Sequence, residues 1–481
     1  MSTKDLGITV KKADDLSEWY TQVVTKAQLA DYSSAKGFIV VMPYGFAIWE
    51  RIKEHFDRKI KEIGHQNAYF PLLIPERLLK KEAEHFEGFT PEVFWVTHSG
   101  NTELGERLAV RPTSETIINE AYSRWVKSWR DLPVLINVWN SVLRAEITAT
   151  KPFIRTSEFL WQEGHTVHGS EEEAEKEVMT ILEIYRQLVE DQLAIPVLVG
   201  KKTEKEKFKG AVYTTTLEAM MPDGKAIQMG TSHHLGQNFS KPFEIKFLGK
   251  DEKEHFAWTT SWGISWRLIG ATIMAHGDDR GLILPPRVAP IQVVFVPIHY
   301  KESDKQGVLD AVQQIADGLG KHSIRTFIDD REQYTPGWKY HDWEMKGVPL
   351  RVEVGPRDLQ AKQVTVVRRD TGKKSPLAQA DAAKVIVGVL DEIQESLLRK
   401  ARETETKLTE TARDMDTFKK IIGEKGGFVR AFLSERNDCE DKIKQETGAT
   451  VRIVPFKESG RGKCVYCGAT NSREVVFGRS Y

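Results

Sequence analysis

The stretch VWNSVLRAEITATKPFIRTSEFLWQEGHTVH, Val138 to His168, reads as two strands joined by a basic, polar loop. The outgoing strand runs on through Leu143, Arg144, Ala145 and Glu146, and the return, Thr156 to Thr166, is rich in β-branched and aromatic residues. Strand side chains alternate with a period of two, so Arg144 and Glu146 share a face, as do Arg155, Ser157, Phe159, Trp161, Glu163 and His165. That surface gathers two cations, two carboxylates, two aromatic planes and an imidazole. A merely solvated hairpin face has no use for large aromatics. Aromatic planes beside guanidinium forks are what a nucleotide base and its phosphates require.

Outward from this hairpin, 481 residues suffice for two to four domains with a large sheet. Lys plus Arg equals Asp plus Glu at 69 each, so no global field advertises nucleic acid and any RNA contact must be a local patch. The three cysteines, two of them in Cys464-Val465-Tyr466-Cys467, argue against a disulfide framework and for a reducing compartment. The start, MSTKDLGITVKK, lacks the apolar run of a signal peptide, and no stretch reaches the ~18 apolar residues of a membrane helix. A soluble, cytoplasmic protein is expected.

Before the hairpin, Trp49, Ile52, Phe56, Ile60 and Ile63 recur at three and four, between Pro43 and Gly64. This predicts a long amphipathic helix, followed by a strand, Asn67 to Phe70, that closes on Pro71. Arg111-Pro112-Thr113-Ser114-Glu115-Thr116 opens another helix, where Thr113 and Glu115 serve either as caps or as partners for a cationic amine. After the hairpin, Ser170 and Glu173 form a capping box, and Lys201 to Lys209 reads as a charged surface loop. Ala226 to His234 reads as a strand whose adjacent histidines face opposite ways, which disfavours a shared metal. Thr259 to His276 reads as a glycine-punctuated turn into an apolar helix with Arg267 near its beginning. A stiff joint, Leu284 to Pro290, precedes alternating strands and helices up to Leu398. Arg399 to Asp416 reads as a charged helical linker to a small cysteine-bearing domain.

The order Arg144-Ala145-Glu146, loop, Arg155, Phe159, Glu163 resembles motif 2 of the class II aminoacyl-tRNA synthetases. Residues 43–75 and 259–276 resemble motifs 1 and 3, and Thr113-x-Glu115 narrows the resemblance to the prolyl branch. The absence of cysteine before Cys439 argues against the zinc-anchored substrate of the threonyl branch. The implied fold is α/β in the broad sense: a catalytic domain on a mostly antiparallel sheet (1–286), a mixed-sheet anticodon-binding domain (290–398) and a small α+β C-terminal domain (410–481). Only about a hundred residues separate motifs 2 and 3, so the chain is similar to the short archaeal and eukaryotic-type form without an editing insertion.

The implied chemistry is activation of L-proline by ATP with Mg²⁺, then transfer to tRNA(Pro), in a homodimer. By the same resemblance Arg144, Arg155 and Arg267 are catalytic, and Glu146, Phe159, Gln228 and Thr231 join them around ATP. Thr113, Glu115, Arg144, Trp161, Glu163, His165, His233 and Ser261 hold proline, and the anticodon falls to Glu344, Arg351, Arg357 and Asp358. Arginines read the edges of guanines and carboxylates accept from their amino groups. Without an editing insertion, some misactivation of alanine or cysteine is expected, because a methylene-scale difference discriminates only about ten- to two-hundred-fold. The resemblance also implies a structural zinc site on four cysteines, for which Cys439, Cys464 and Cys467 would supply three ligands while Ser434, a poor ligand, holds the fourth position, which leaves bound zinc open. Tyr481, at the end of the sequence, is a further site candidate. The main rival, a synthetase-like module without activity, would be marked by loss of the three arginines.

Overall fold

The computed structural model describes residues 7–83, 92–145, 149–299 and 302–481. Its centre is a seven-stranded sheet whose strands we number along the chain. They are β1 (Gln66–Ala68), β2 (Val134–Leu143), β3 (Glu158–His168), β4 (Leu198–Lys201), β5 (Tyr213–Met220), β6 (Ala226–Gly236) and β7 (Trp258–Ser265). The order is β1-β2-β3-β7-β6-β5-β4, antiparallel except for the β1–β2 pair. The expected hairpin is β2–β3, with Asn140 opposite Trp161 and Val138 opposite Glu163.

One face of this sheet is closed by helices α1 (Pro43–Glu62), α2 (Glu171–Gln187) and α3 (Arg267–His276). The period of α1 buries Ile48, Trp49, Ile52, Phe56 and Ile60. Phe56 stacks on Tyr185 with ring centroids 5.1 Å apart and meets Trp139 and Trp262 edge-on. This aromatic core covers the back of the sheet, and the opposite face is left for polar residues. A separate three-stranded sheet (Leu73–Pro75, Trp95–Ser99, Thr102–Val110) flanks the helix Glu115–Trp125.

The joint at Pro285 leads to a five-stranded mixed sheet, β8 (Val293–Pro297), β9 (Thr326–Ile328), β10 (Leu350–Val354), β11 (Gln363–Arg368) and β12 (Lys374–Ala378), ordered β9-β8-β10-β11-β12. The last unit carries β13 (Thr409–Thr411), β14 (Phe428–Leu433), β15 (Thr450–Ile453) and β16 (Ser472–Gly478), with helices Met415–Glu424 and Asn437–Thr447.

Several expectations need correction. The first half of Thr259–His276 is a central strand, β7, with α3 beginning only at Arg267. Glycine there is no turn signal: Gly263 sits opposite Glu163 and Thr231, and an added Cβ would come within 3.1 Å of the Gln162 carbonyl. The predicted strand ending at Pro71 is shorter, Gln66–Ala68. The supposed linker from Arg399 to Asp416 begins as the last third of one helix, Ala382–Lys407, whose apolar stripe Ile386, Leu390, Ile393 and Leu397 is buried, and ends in the strand Thr409–Thr411 and the start of the next helix. Lys201–Lys209 is not a solvated loop, since Lys202 and Thr203 are buried. No helix among the described residues is long and apolar enough to cross a membrane.

Candidate active site

Cross-strand register builds the open face of the sheet rung by rung. One rung runs Val138, Glu163, Gly263, Thr231, Thr216, and the next runs Ile136, His165, Ser261, His233, Thr214. Residues two apart on each strand therefore converge on one cavity. It is lined by Thr113, Glu115, Trp161, Glu163, His165, His233 and Ser261 at one end and by Arg144, Phe159, Gln228, Thr231 and Arg267 towards the other. A contiguous cavity shares Arg144, Phe159 and Arg267 and adds Arg155 and Tyr481. The three predicted arginines thus border the same space. Glu146 lies outside the described residues.

The end lined by Glu115, Glu163 and His165 is acidic and tightly bonded. Glu163, fully enclosed on β3, accepts from Asn140 Nδ2 at 2.7 Å, from the Ser114 amide at 3.2 Å and from the Ser114 hydroxyl. His165 Nε2 lies 3.0 Å from its other face. Burial alone would raise the Glu163 carboxyl, but the His165 imidazole, Ser114 and Asn140 hold it below the ordinary range. For His165, burial works against protonation, yet Glu163 and the nearby Glu115 raise its pKa. Thr113 Oγ1 donates to Glu115, so Glu115, Glu163 and His165 present ligand atoms within 4.8 Å of one another. Such a pair of buried carboxylates suits a cationic amine.

His233 is pinned by Thr214 Oγ1 at 2.9 Å and Thr231 Oγ1 at 3.1 Å and packs on Phe208. Burial, reinforced by His165, pushes its pKa down to about 3, so this ring is neutral at working pH. His234 points the other way and stacks on Tyr213. The Ser261 hydroxyl is buried in the cavity wall and has no hydrogen-bond partner among the described residues.

At the other end, the Arg144 guanidinium lies 5.1 Å from the Phe159 ring centroid and 5.7 Å from that of Trp161, with Nε donating to the Pro112 carbonyl at 3.4 Å. Half-buried Arg267 has its pKa lowered to about 10, first by burial and then by the like charge of Arg144, with smaller effects from Arg452 and Arg155. Cations pressed together in this way favour an anionic ligand.

In the second domain Glu344, from the helix Pro336–Met345, and Arg351, from β10, line one pocket with Arg368, Arg369 and Lys374. Arg357 and Asp358 are not part of it. They belong to a short helix, Pro356–Gln360, where Asp358 accepts from the Gly355 amide at 2.9 Å and serves as a cap. In the C-terminal domain Cys439, Cys464 and Cys467 have sulfurs within 4.8 Å of one another, and Ser434 Oγ lies 3.4 Å from Cys439 Sγ and 3.8 Å from Cys467 Sγ.

Sequence reasoning missed Lys202, Glu206, Lys207, Phe208 and Thr214 around the main cavity, and Ser114 behind it, which hydrogen-bonds Glu163. For Ser114, its place between Thr113 and Glu115 was the available signal. The Tyr481 hydroxyl donates to Asp223 at 2.7 Å, and its side chain borders the arginine cavity.

An antiparallel sheet bearing an Arg-loop-Arg-Phe-Glu hairpin and a following helix headed by arginine defines the catalytic core of a class II aminoacyl-tRNA synthetase. Residues 94–276 match the family model described as the class II tRNA synthetase core domain (G, H, P, S and T). Residues 292–388 match an anticodon binding domain and residues 415–481 the prolyl-tRNA synthetase C-terminal domain. A proline--tRNA ligase of Cenarchaeum symbiosum is 56% identical over 476 residues, 99% of this chain and 100% of the relative. Proline--tRNA ligase 2 of Clostridioides difficile is 52% identical and the proline--tRNA ligase of Natranaerobius thermophilus 51%, each over 98% of this chain and 97% of its own length. The chain belongs to the family of proline--tRNA ligases.

Proposed function

We propose that this chain attaches L-proline to tRNA(Pro) through a prolyl-adenylate, releasing AMP and diphosphate. The observation that carries the reading is that Arg144, Arg155 and Arg267 border one cavity with Phe159, continuous with the Glu115, Glu163 and His165 nest. Proline's carboxylate attacks the α-phosphorus in line, and diphosphate leaves. It is ionised at neutral pH, so no general base is needed. The obstacle is repulsion between two anions, which Arg144 relieves at the α-phosphate and the carboxylate, Arg155 and Arg267 at the terminal phosphates. Mg²⁺ bound with the nucleotide would supply further charge neutralisation beside Arg155 and Arg267.

Phe159 stacks the adenine, while Gln228 and Thr231 face the nucleotide from β6. Thr113, Glu115 and Glu163 take the ammonium, Trp161 and His233 wall the ring, and His165 keeps Glu163 ionised. The Ser261 hydroxyl is left to a substrate polar atom. The 3′-terminal ribose hydroxyl of the tRNA then attacks the adenylate. Guanines of the anticodon are assigned to Glu344 and Arg351, which support that role by sharing one pocket.

A homodimer is supported by the apolar surface beside β1, where Tyr69, Leu72 and Trp125 are exposed. Three thiols lying together without a disulfide suit a reducing, cytoplasmic compartment. The donor set does not complete a closed zinc site, because a serine hydroxyl stands at the fourth corner, so nothing in the reaction is routed through zinc. The test is proline-dependent exchange of pyrophosphate into ATP, with the other nineteen amino acids as controls. Exchange driven equally well by another amino acid would defeat the assignment of substrate.

A further inference from the structure

Glu218 on β5 is fully buried on the cavity side of the sheet, opposite Gln228 of β6, and it serves two cations. Lys202 Nζ donates to its Oε1 at 2.6 Å. Arg452, which belongs to β15 of the C-terminal domain, donates from Nη2 to both oxygens at 2.9 Å and from Nε to Oε2 at 3.1 Å. Two cations against one carboxylate leave a surplus positive charge, and Lys202 lines the main cavity beside Gln228 and Arg267.

We propose that Arg452 is a positioning residue for the activation step: from the C-terminal domain, through Glu218, it holds Lys202 in the wall of the nucleotide cavity. This rests on the functional reading above. A planar guanidinium fork fixes the plane of the carboxylate it grips, which an ammonium on a flexible stem does not. With Arg452 on both oxygens, Lys202 is confined to Oε1, and its own amide is fixed to the Thr214 carbonyl at 2.9 Å. The docking is built in. The Lys201 and Val454 amides each donate to the other's carbonyl at 2.8 Å, and a Cβ on Gly200 would meet the Val454 carbonyl at 2.5 Å. Arg267 feels the same assembly, since Glu218 raises and Arg452 lowers its pKa.

The experiment is ATP binding by calorimetry on the full chain, beside proline-dependent pyrophosphate exchange. Arg452→Met is expected to weaken ATP binding about tenfold and raise the ATP KM to match, with the proline KM within twofold of the parent. Arg452→Lys, which keeps the charge without the fork, should lose a few-fold. Glu440→Ala removes a docking bond to Thr203, 2.9 Å in the structure, and should lower only Tm. ATP affinity within twofold of the parent in the Met variant, or in the Lys variant should the Met variant not fold, would overturn the proposal. So would an equal loss in Glu440→Ala, which would mean that docking alone matters. Calorimetry does not depend on which amino acid is activated, so failure of the proline reading shows only in the exchange assay.

Discussion

The molecule handles its arginines in two opposite ways. In the catalytic cavity, burial first and then the like charge of Arg144, with Arg452 and Arg155 behind it, loosen the proton of Arg267. In the anticodon-binding domain, Arg368 is bonded bidentately to Asp370 and again to Glu392, and its proton is held more tightly. Arg351 there shares Glu353 with Lys374. The first arrangement is a field with a surplus of charge, fit for a triphosphate. The second consists of ion pairs already matched, where any incoming polar ligand must exchange partners, an arrangement that favours selection by geometry over selection by charge.

Substitutions should expose that difference. Arg144→Ala is expected to lower proline-dependent pyrophosphate exchange by about 10²–10³-fold. Arg351→Ala should leave exchange unchanged and reduce only the aminoacylation of tRNA, by about ten- to a hundred-fold in kcat/KM. An exchange defect in Arg351→Ala would erase the contrast. Glu163→Gln, which breaks a buried charge network at the amine end, should raise the proline KM by about tenfold or more while ATP affinity stays near that of the parent.

The same network predicts a pH effect. His165, with its folded pKa raised, contributes stability that is complete below the ordinary imidazole value of 6.5 and is lost as pH rises through the folded value. Glu163, with its pKa lowered, contributes stability that is present above 4.5 and lost as pH falls through its folded value. Both terms are present between those limits, so Tm should decline from pH 6.5 upward, and Glu163→Gln should flatten that decline by about 2 °C. The smallest effect concerns the cysteines. Chelator should leave activity untouched, whereas Ser434→Cys, by completing four sulfurs, should confer one tightly bound zinc and a modest gain in Tm, read by metal analysis and melting.

What the sequence made legible was whatever local periodicity encodes. Alternation put Phe159, Trp161, Glu163 and His165 on one face, and the three-and-four spacing from Trp49 gave the helix behind them. Burial imposed by distant segments was not legible. Lys201 to Lys209 has the composition of a solvated loop, and only its packing against Val454 and Glu440 turns Lys202 and Thr203 inward. Arg452, alone in the apolar run Thr450 to Val454, looks like a snorkelling surface residue until Glu218 is seen beneath it. Arg357 and Asp358 stand in a short helix outside the Glu344–Arg351 pocket, where Asp358 accepts from the Gly355 amide, a placement their charge alone does not announce.

The mutual bond between Lys201 and Val454 has a consequence beyond the reaction. β4 is the outermost strand of the catalytic sheet, and an uncovered rim of amides and carbonyls is a template for adhesion between molecules. Seating Val454 there, while Met220 and Ala226 pack with Phe428 and Ile453 of the C-terminal domain, shields that rim. A protein truncated after Lys407 should therefore self-associate, whatever its residual chemistry.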